Sequence, residues 1–148
     1  MESIVDVIKD ADSRKAVVAD TVRLISSEVR SKTGLTGLAL KAGYSVVSKL
    51  KGGRMISHAA NLLIEDMSNA IEPLHGRFRK IGEADFSAFL LSNTDEATEA
   101  LLSVSDAHAE KSDKGLLLKT YKKLRPTAAK HVRAALPGLG QMIDRHTA

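Results

Sequence analysis

The segment MISHAANLLIEDMSNAIEPL, residues 55–74, repeats its apolar residues at the spacing of an α-helix. Intervals of three or four residues separate Ile56, Ala60, Leu63, Met67, Ala70 and Leu74. Because an α-helix completes a turn about every 3.6 residues, these side chains share one face over roughly five turns. Pro73 predicts a bend or a frayed end, and residues 77–85 are predicted to be a connection. The segment indicates a long amphipathic helix that buries one face.

Helical spacing recurs upstream of this segment. Four apolar residues at intervals of three or four predict a helix there: Val18, Val22, Ile25 and Val29. We expect Asp12 or Ser13 to cap this helix and Gly34 to end it. A shorter helix is predicted before it, around residues 3–10, with Ser3 as its cap.

Polar residues and prolines mark further helix starts downstream. Asp85 is expected to cap a short helix, and Thr94 is expected to cap another whose first turn carries acids. Ser112–Asp113 is predicted to start the next helix, and Pro126 suits the first turn of the last one. A kink or break is predicted near Pro137, where glycines also interrupt the apolar spacing.

The pattern as a whole predicts the fold class. No segment shows the sustained alternation of apolar and polar residues that a half-buried β-strand requires. The connections are short, and no proline- or serine-rich linker divides the chain. We therefore predict an all-α protein with one domain, residues 1–148, formed by a compact bundle of about six to seven helices.

The composition is that of a soluble globular protein, with 43% hydrophobic and 27% charged residues. The chain has no cysteine, which excludes disulfides, thiolate catalysis and cysteine-based zinc sites. Its first residues carry acids where a secretory signal would carry bases, and no apolar run reaches the length of a membrane span. These features predict a cytoplasmic location.

The net charge of +4 conceals an uneven distribution of acids and bases. Residues 29–64 hold six bases and no acid, whereas residues 65–113 hold eleven acids and four bases. Residues 114–148 are basic again, with eight lysines and arginines and one acid. An exposed acid-free segment would attract an acidic protein or an anionic small ligand. The alternative is that the acids of residues 65–113 pair with this segment and neutralise it.

The hexapeptide KLKGGR, residues 49–54, lies near the end of the acid-free segment. Glycines at a helix start let an anion approach free backbone N–H groups, and neighbouring cations add to the attraction. An anion site at Lys51, Gly52, Gly53 and Arg54 is therefore one hypothesis. The other is a hinge, in which Gly52 ends one helix in a left-handed conformation and Gly53 starts the next. A phosphate-binding loop of the GxxxxGK[ST] type is absent from the sequence.

Residues 35–50 form a predicted amphipathic helix that carries lysines and no acid. One face is expected to hold Leu35, Leu38, Ala39, Ala42, Val46 and Leu50. Such a helix suits a membrane surface, although it lacks the tryptophan or phenylalanine anchors that often accompany this role. Packing of the same face against the core is the interpretation that the spacing alone favours. The glycines within the helix predict that another backbone packs closely against it.

Catalysis has little support in the sequence. His58, Asn61 and Glu65 share one side of the helix at residues 55–74, where a carboxylate would orient the imidazole as a general base. That side lies opposite the apolar stripe, where histidines and acids are common on solvated surfaces. No serine has a setting typical of a nucleophile, and the histidines lack the spacing of a metal site. No catalytic residue, metal or cofactor is therefore assigned.

Nucleic-acid binding and self-association are further alternatives. The basic blocks favour contacts with phosphates. The chain has three phenylalanines, two tyrosines and no tryptophan, which leaves few side chains for stacking on single-stranded bases. Small helical proteins also often pair through an apolar face, so a homo-oligomer remains an alternative.

Residues 32–44, KTGLTGLALKAGY, follow the pattern K-x-G-L-x-G-x-A-x-K-A-G-[YF], and residues 66–74 run from an acid to a helix end in Pro-Leu. In these residues the first half of the chain resembles a family of small, uncharacterised bacterial helical proteins, a domain of unknown function. The resemblance implies a bacterial origin and a helical fold. It implies no activity, cofactor or catalytic residue.

The leading hypothesis is a non-enzymatic binding or interaction module whose basic segment 29–64 contacts an acidic partner or an anionic ligand. One alternative is a peripheral membrane protein that uses the helix at residues 35–50. A further alternative is an enzyme that uses His58 and Glu65. The exposure of residues 29–64, and of the apolar face within them, distinguishes these hypotheses.

Overall fold

A computed structural model describes residues 1–111 and 115–148. In these residues the chain forms helices and no strand, which confirms the all-α prediction. The helical segments are α1 (Ile4–Val7), α2 (Ala11–Ser31), α3 (Gly34–Ser48), α4 (Leu50–Gly53), α5 (Met55–Ile81), α6 (Phe86–Ser92), α7 (Thr94–Glu110) and α8 (Gly115–Thr147). Since α1 and α4 have four residues each, the described part of the chain has six longer helices, close to the predicted number.

Helices α2, α5, α7 and α8 form a four-helix arrangement in which each helix contacts two of the others. The contacts run from α2 to α5, from α5 to α7, from α7 to α8 and from α8 back to α2. The short α1 and α6 pack on α5 and α8. Helix α3 lies mainly against α8 and so forms part of the outer layer.

The core is centred on aromatic residues of α5 and α6. Phe78 and Phe86 are 1% and 0% exposed, and their ring centroids lie 5.2 Å apart. Fully buried His75 packs against both rings, and Leu136 of α8 belongs to the same buried cluster. Burial of a large apolar side chain stabilises the folded state by about 1.5–3 kcal/mol. The cluster therefore stabilises the packing of α5, α6 and α8 against one another.

Side-chain oxygens cap the N-termini of three helices. Oγ of Ser3 caps α1 by accepting the N–H of Asp6. Oδ1 of Asp85 caps α6 by accepting the N–H of Ala88, and both caps agree with the prediction. Helix α2 begins with Asp10, whose Oδ2 accepts the N–H of Ser13 at 2.9 Å. The predicted cap at Asp12 or Ser13 is therefore wrong by two or three residues. A cap of this kind stabilises a helix by about 1 kcal/mol. The predicted cap at Thr94 is wrong by one residue, because Thr94 is the first residue of α7 and Asn93 precedes it without a side-chain cap.

Helix α5 continues through Pro73 to Ile81 and is followed by Gly82 in the left-handed conformation. The prediction of a connection at residues 77–85 is therefore wrong for residues 77–81, which belong to α5. Phe78 explains the difference, because its burial beyond the proline offsets the hydrogen bond that the proline removes.

Helix α8 runs without a break from Gly115 to Thr147 across both of its prolines. The predicted helix boundary at Pro126 is therefore wrong, and of the kink or break predicted near Pro137 the break is absent. The predicted helix start at Ser112–Asp113 lies outside the described residues. Contacts with α2, α3, α6 and α7 along its length hold α8 as one helix.

The glycines near Pro137 allow close helix crossings. A Cβ on Gly140 would lie 2.5 Å from the Cα of Ser87 in α6. A Cβ on Gly138 would lie 2.6 Å from Cδ1 of Leu24 in α2. Both distances are shorter than any normal carbon–carbon contact. The neighbour of Gly140 is backbone, so α8 approaches α6 more closely than alanine there would allow, whereas the neighbour of Gly138 is the end of a side chain that can move aside.

Helix α3 packs on α8 through the face that carries Gly43. A Cβ at this residue would lie 3.0 Å from Cδ1 of Leu124 and 3.1 Å from Cγ2 of Thr120. The close packing expected at the glycines of α3 is thus found at Gly43, although side chains of α8, rather than its backbone, are the neighbours.

Candidate functional site in the basic segment

The hexapeptide KLKGGR forms a turn between α3 and α5. Lys51, Gly52 and Gly53 have φ values of 54°, 63° and 86°, so three successive residues lie in the left-handed region. Segment α4 is therefore a turn in its geometry. The left-handed Gly52 agrees with the hinge interpretation, but Gly53 shares this conformation and the next helix begins at Met55. For Lys51, which has a side chain, the conformation costs about 1 kcal/mol.

Lys51 and Arg54 line a shallow groove between α2 and the start of α5. Lys15 of α2 and His58 of α5 complete the charged and titratable part of its lining. The remaining lining residues are small or uncharged: Val18, Ala19, Ser57 and Asn61. The structure thus brings two residues of the anion-site hypothesis together with Lys15 and with the histidine of the enzyme hypothesis.

The backbone of the turn contributes little to this groove. The N–H of Arg54 donates to the oxygen of Lys51 at 3.3 Å, and the N–H of His58 donates to the oxygen of Arg54 at 2.9 Å. Gly52 and Gly53 are not among the described lining residues. Attraction for an anion therefore comes from side-chain charge rather than from a glycine-lined cradle.

Arg14 fixes the groove by joining α2 to α5. Its Nε–H donates to Oδ1 of Asn61 at 3.2 Å, and its Nη2–H donates to the backbone oxygen of Asn61 at 2.9 Å. No local pattern in the sequence marks Arg14 or Lys15, because both precede residues 29–64. Only the packing of α2 against α5 brings them to the groove.

The acids of residues 65–113 do not form ion pairs with the basic segment in the described part of the chain. Five of them bond within their own region or with α8, in four ion pairs and one hydrogen bond to a histidine: Glu72–Arg79, Glu96–Arg77, Asp95–Arg133, Asp106–Arg125 and Asp66–His108. In the segment itself, Lys32 pairs with Glu28 at 3.0 Å. Its other bases are exposed: Arg30, Lys41, Lys49, Lys51 and Arg54. Neutralisation of the segment by the acids of residues 65–113 therefore has no ion pair to support it among the described residues.

The apolar face of α3 points away from the core. Leu35, Leu38 and Val46 are 86%, 63% and 41% exposed, and Ala39 and Ala42 are also exposed. The expectation that this face packs against the core is wrong, because α3 uses the face of Gly43 against α8. We call these five exposed residues the α3 stripe.

The α3 stripe is continuous along the helix. Its members lie at i, i+3, i+4, i+7 and i+11, which share one helix face, and they span about 16 Å at 1.5 Å per residue. Single exposed leucines are ordinary on protein surfaces, whereas a contiguous apolar strip is typical of a contact surface. Among the described residues, no helix combines the length and the apolar character needed to cross a membrane.

The geometry gives no support to catalysis by His58 and Glu65. Both residues are exposed, and no hydrogen bond between His58 and Glu65 occurs in the described part of the chain. No group of three or more histidine, aspartate or glutamate side chains suited to a metal ion occurs in that part of the chain. Nε2 of His108 forms a hydrogen bond with Oδ2 of Asp66 at 2.8 Å, with both side chains at least partly exposed.

Comparisons with known proteins bear on the family of the chain. A family model described as "Family of unknown function (DUF6918)" matches residues 4–147. The resemblance to a domain of unknown function is thus confirmed, and it covers more than the first half of the chain. Neither the curated proteins nor the solved structures yielded a match. The chain belongs to the family of unknown function DUF6918.

Proposed function

We propose that this protein is a non-enzymatic binding module that docks on an anionic lipid surface through its basic segment 29–64. The observation that carries the proposal is the exposure of the α3 stripe within a segment of six bases and no acid. Interfacial helices combine these features, because apolar residues enter the boundary between headgroups and acyl chains while cations stay among the headgroups.

The α3 stripe supplies the apolar contribution. Leu35 and Leu38 are its largest side chains, and both are more than half exposed. Transfer of each from water into the acyl boundary contributes on the order of 1–2 kcal/mol. Two such leucines contribute less than one myristoyl chain, which by itself binds membranes only marginally, so binding also requires the exposed bases.

The exposed bases supply the electrostatic contribution. Lys41 lies in α3, Lys49 ends it, and Lys51 and Arg54 follow in the turn. Each base near an anionic leaflet contributes about 1 kcal/mol, and this contribution decays over a Debye length of about 10 Å at 0.1 M salt. A soluble anion would account for the bases but not for the exposed leucines. An anionic membrane accounts for both.

Co-sedimentation with vesicles tests the proposal. We expect the wild-type protein to bind phosphatidylglycerol vesicles at low salt, to bind them less at high salt, and to leave phosphatidylcholine vesicles largely unbound. The variant Leu35→Ser/Leu38→Ser is expected to bind at least about tenfold more weakly, since it loses the apolar contribution of two leucines.

A matched control uses two leucines outside the segment. Leu62 and Leu91 are 57% and 56% exposed, so Leu62→Ser/Leu91→Ser removes a similar exposed area. This control is expected to bind vesicles like the wild type. Absence of binding to phosphatidylglycerol at low salt, or an equal loss in both double variants, would contradict the proposal.

A soluble anionic ligand or an acidic protein is the second candidate, because Lys15, Lys51, Arg54 and His58 line one groove. Calorimetric titration with polyphosphate and with a polyglutamate peptide tests this candidate. Lys51→Ala/Arg54→Ala is expected to remove the binding. Lys122→Ala/Lys123→Ala, which removes two exposed bases of α8, is expected to retain it. Equal losses in the two variants, or no binding by the wild type, would reject a site in the groove.

Two other partners are outcomes of the same experiments. The first is duplex DNA. If it binds with a steep salt dependence, and if Lys122→Ala/Lys123→Ala weakens this binding as much as Lys51→Ala/Arg54→Ala does, the protein has a general attraction to phosphates. A homodimer in light scattering that Leu35→Ser/Leu38→Ser converts to a monomer would assign the α3 stripe to self-association instead.

We further propose that the protein acts in the cytoplasm of a bacterial cell. The cysteine-free composition suits a reducing compartment, and the resemblance described above implies a bacterial origin. An anionic lipid surface would then be the cytoplasmic leaflet of the membrane. Cell fractionation at low and high salt tests this location, with salt-dependent recovery in the membrane fraction as the expected result.

A further inference from the structure

Helices α2, α5, α7 and α8 surround a partly enclosed cavity of about 340 Å³. Residues of α5 line it from Ile56 to Ile71, and residues of α8 line it from Val132 to Ile143. At 1.5 Å per residue these stretches extend about 22 Å and 16 Å. The cavity therefore follows the direction of the bundle and is longer than a space left by one missing side chain.

The lining is aliphatic and uncharged. No lysine, arginine, aspartate, glutamate or histidine is among the described lining residues, and no aromatic ring is. The side-chain hydroxyls belong to Thr21, Ser68 and Ser105. Thr21 donates to the backbone oxygen of Val17 at 2.8 Å, and Ser105 donates to that of Leu102 at 3.1 Å. Two of the three hydroxyls are thus engaged by their own helices.

This chemistry restricts what can occupy the cavity. Water in a protein interior typically needs two to four polar partners, which such a lining does not provide. A charged or strongly polar group would lose its hydration without compensation. Protein cores are otherwise packed at the density of organic crystals, and apolar cavities of less than half this volume bind small apolar molecules. Ligand pockets commonly have volumes of about 300–1,000 Å³.

We propose that the cavity binds one unbranched hydrocarbon chain, with any polar headgroup outside the lining. The elongated form of the cavity fits a linear chain better than a compact ring system. The aliphatic lining offers dispersion contacts along the whole chain. This inference does not depend on the vesicle-binding proposal, because the α3 stripe contributes no residue to the cavity.

Cavity-filling variants test the proposal. Ala59 and Ala135 line the cavity, so Ala59→Leu or Ala135→Leu would occupy part of its volume. Ala134, next to Ala135, is exposed and is not among the lining residues, so Ala134→Leu is the matched control. The probes are dodecanoate and 1-dodecanol, which share a linear chain and differ in charge at one end.

We expect both probes to raise the thermal unfolding midpoint of the wild type and of Ala134→Leu. In at least one filling variant, the rise in midpoint caused by the probe should be half that of the wild type or less. The midpoint of this variant without probe should be equal to that of the wild type or higher. No shift with either probe in the wild type would overturn the proposal. The proposal would also be overturned if the filling variants fold and their midpoints shift with the probes as much as that of the wild type. It would likewise be overturned if Ala59→Leu and Ala135→Leu both lower the midpoint without probe, because that is the effect of overpacking a closed core.

A second arm distinguishes the source of the chain. The protein is incubated with phosphatidylglycerol vesicles, separated from them at high salt, and extracted for mass spectrometry of bound lipid. Phospholipid in the extract of the wild type, reduced in Ala135→Leu, would indicate a membrane lipid as the source. Binding of dodecanoate without extracted phospholipid would indicate a free fatty acid. Binding in neither arm would overturn the proposal.

Discussion

The Cα of Ser87 lies 2.5 Å from the position that a Cβ on Gly140 would occupy. The neighbour is backbone in a helix of the core, so it cannot move aside as the end of a side chain can. We expect Gly140→Ala to lower the free energy of unfolding by about 1–3 kcal/mol, the usual cost of overpacking. Chemical denaturation measures the change. Gly76→Ala is the control, because a Cβ there lies 3.8 Å from its nearest neighbour, and alanine in a helix interior stabilises by up to about 1 kcal/mol. Equal effects of the two variants would contradict the crossing.

The left-handed backbone of Lys51 predicts a stabilising substitution. Lys51 has a φ of 54°, a conformation that glycine adopts without the steric cost that a Cβ brings. Lys51→Gly is therefore expected to raise the free energy of unfolding by about 1 kcal/mol. Lys49→Gly, at a residue with a φ of −82°, is expected to leave it unchanged or lower it. If Lys51→Gly fails to raise the free energy of unfolding above that of the wild type, the turn has a different conformation in solution.

Buried His75 predicts a loss of stability on mild acidification. Burial lowers the pKa of His75 below 6.5, and the positive charge of Arg79 lowers this pKa further. The unfolded chain therefore binds more protons than the folded chain between that lowered pKa and 6.5. The stabilisation is complete above pH 6.5 and is lost as the pH falls toward the pKa of the folded state. Burial and two neighbouring lysines, Lys32 and Lys130, lower the pKa of His131 in the same direction.

Denaturation at several pH values between 7.5 and 5 (roughly the range in which these histidines protonate) measures this dependence. His75→Asn keeps an acceptor near the guanidinium of Arg79, which donates to Nδ1 of His75 at 2.7 Å. We expect His75→Asn to flatten the dependence of stability on pH, and His75→Asn/His131→Asn to flatten it further. A wild-type slope that persists in the double variant would contradict this assignment.

Much of the fold follows from the sequence because helical spacing is a local property. The stripe from Ile56 to Leu74 predicts α5, and polar residues such as Ser3 and Asp85 predict helix starts that the structure contains. The prolines were misleading because their local cost competes with burial that the sequence does not display. Phe78 lies beyond Pro73 and is 1% exposed, so tertiary packing extends α5 past the predicted end.

The candidate site was only partly predictable, because the apolar spacing of α3 shows that residues share a face but not what covers it. The spacing predicts that the face of Leu35 packs on the core, yet it is the face of Gly43 that packs, against α8. Lys51 and Arg54 were identified from a charge pattern within one segment. Lys15 and Arg14 join them through a contact between α2 and α5 that no local pattern encodes.

The proposal that the α3 stripe enters an anionic lipid surface is tested most directly by the depth of Leu38. Because the chain has no cysteine, Leu38→Cys provides a single position for a nitroxide spin label, and Leu62→Cys provides a control of similar exposure, 57% against 63%. We predict that phosphatidylglycerol vesicles raise the collision rate of the label at residue 38 with oxygen and lower its collision rate with a water-soluble nickel chelate. The label at residue 62 should remain fully accessible to the chelate. Vesicle-bound protein in which residue 38 stays as accessible to the chelate as residue 62 would contradict the proposal.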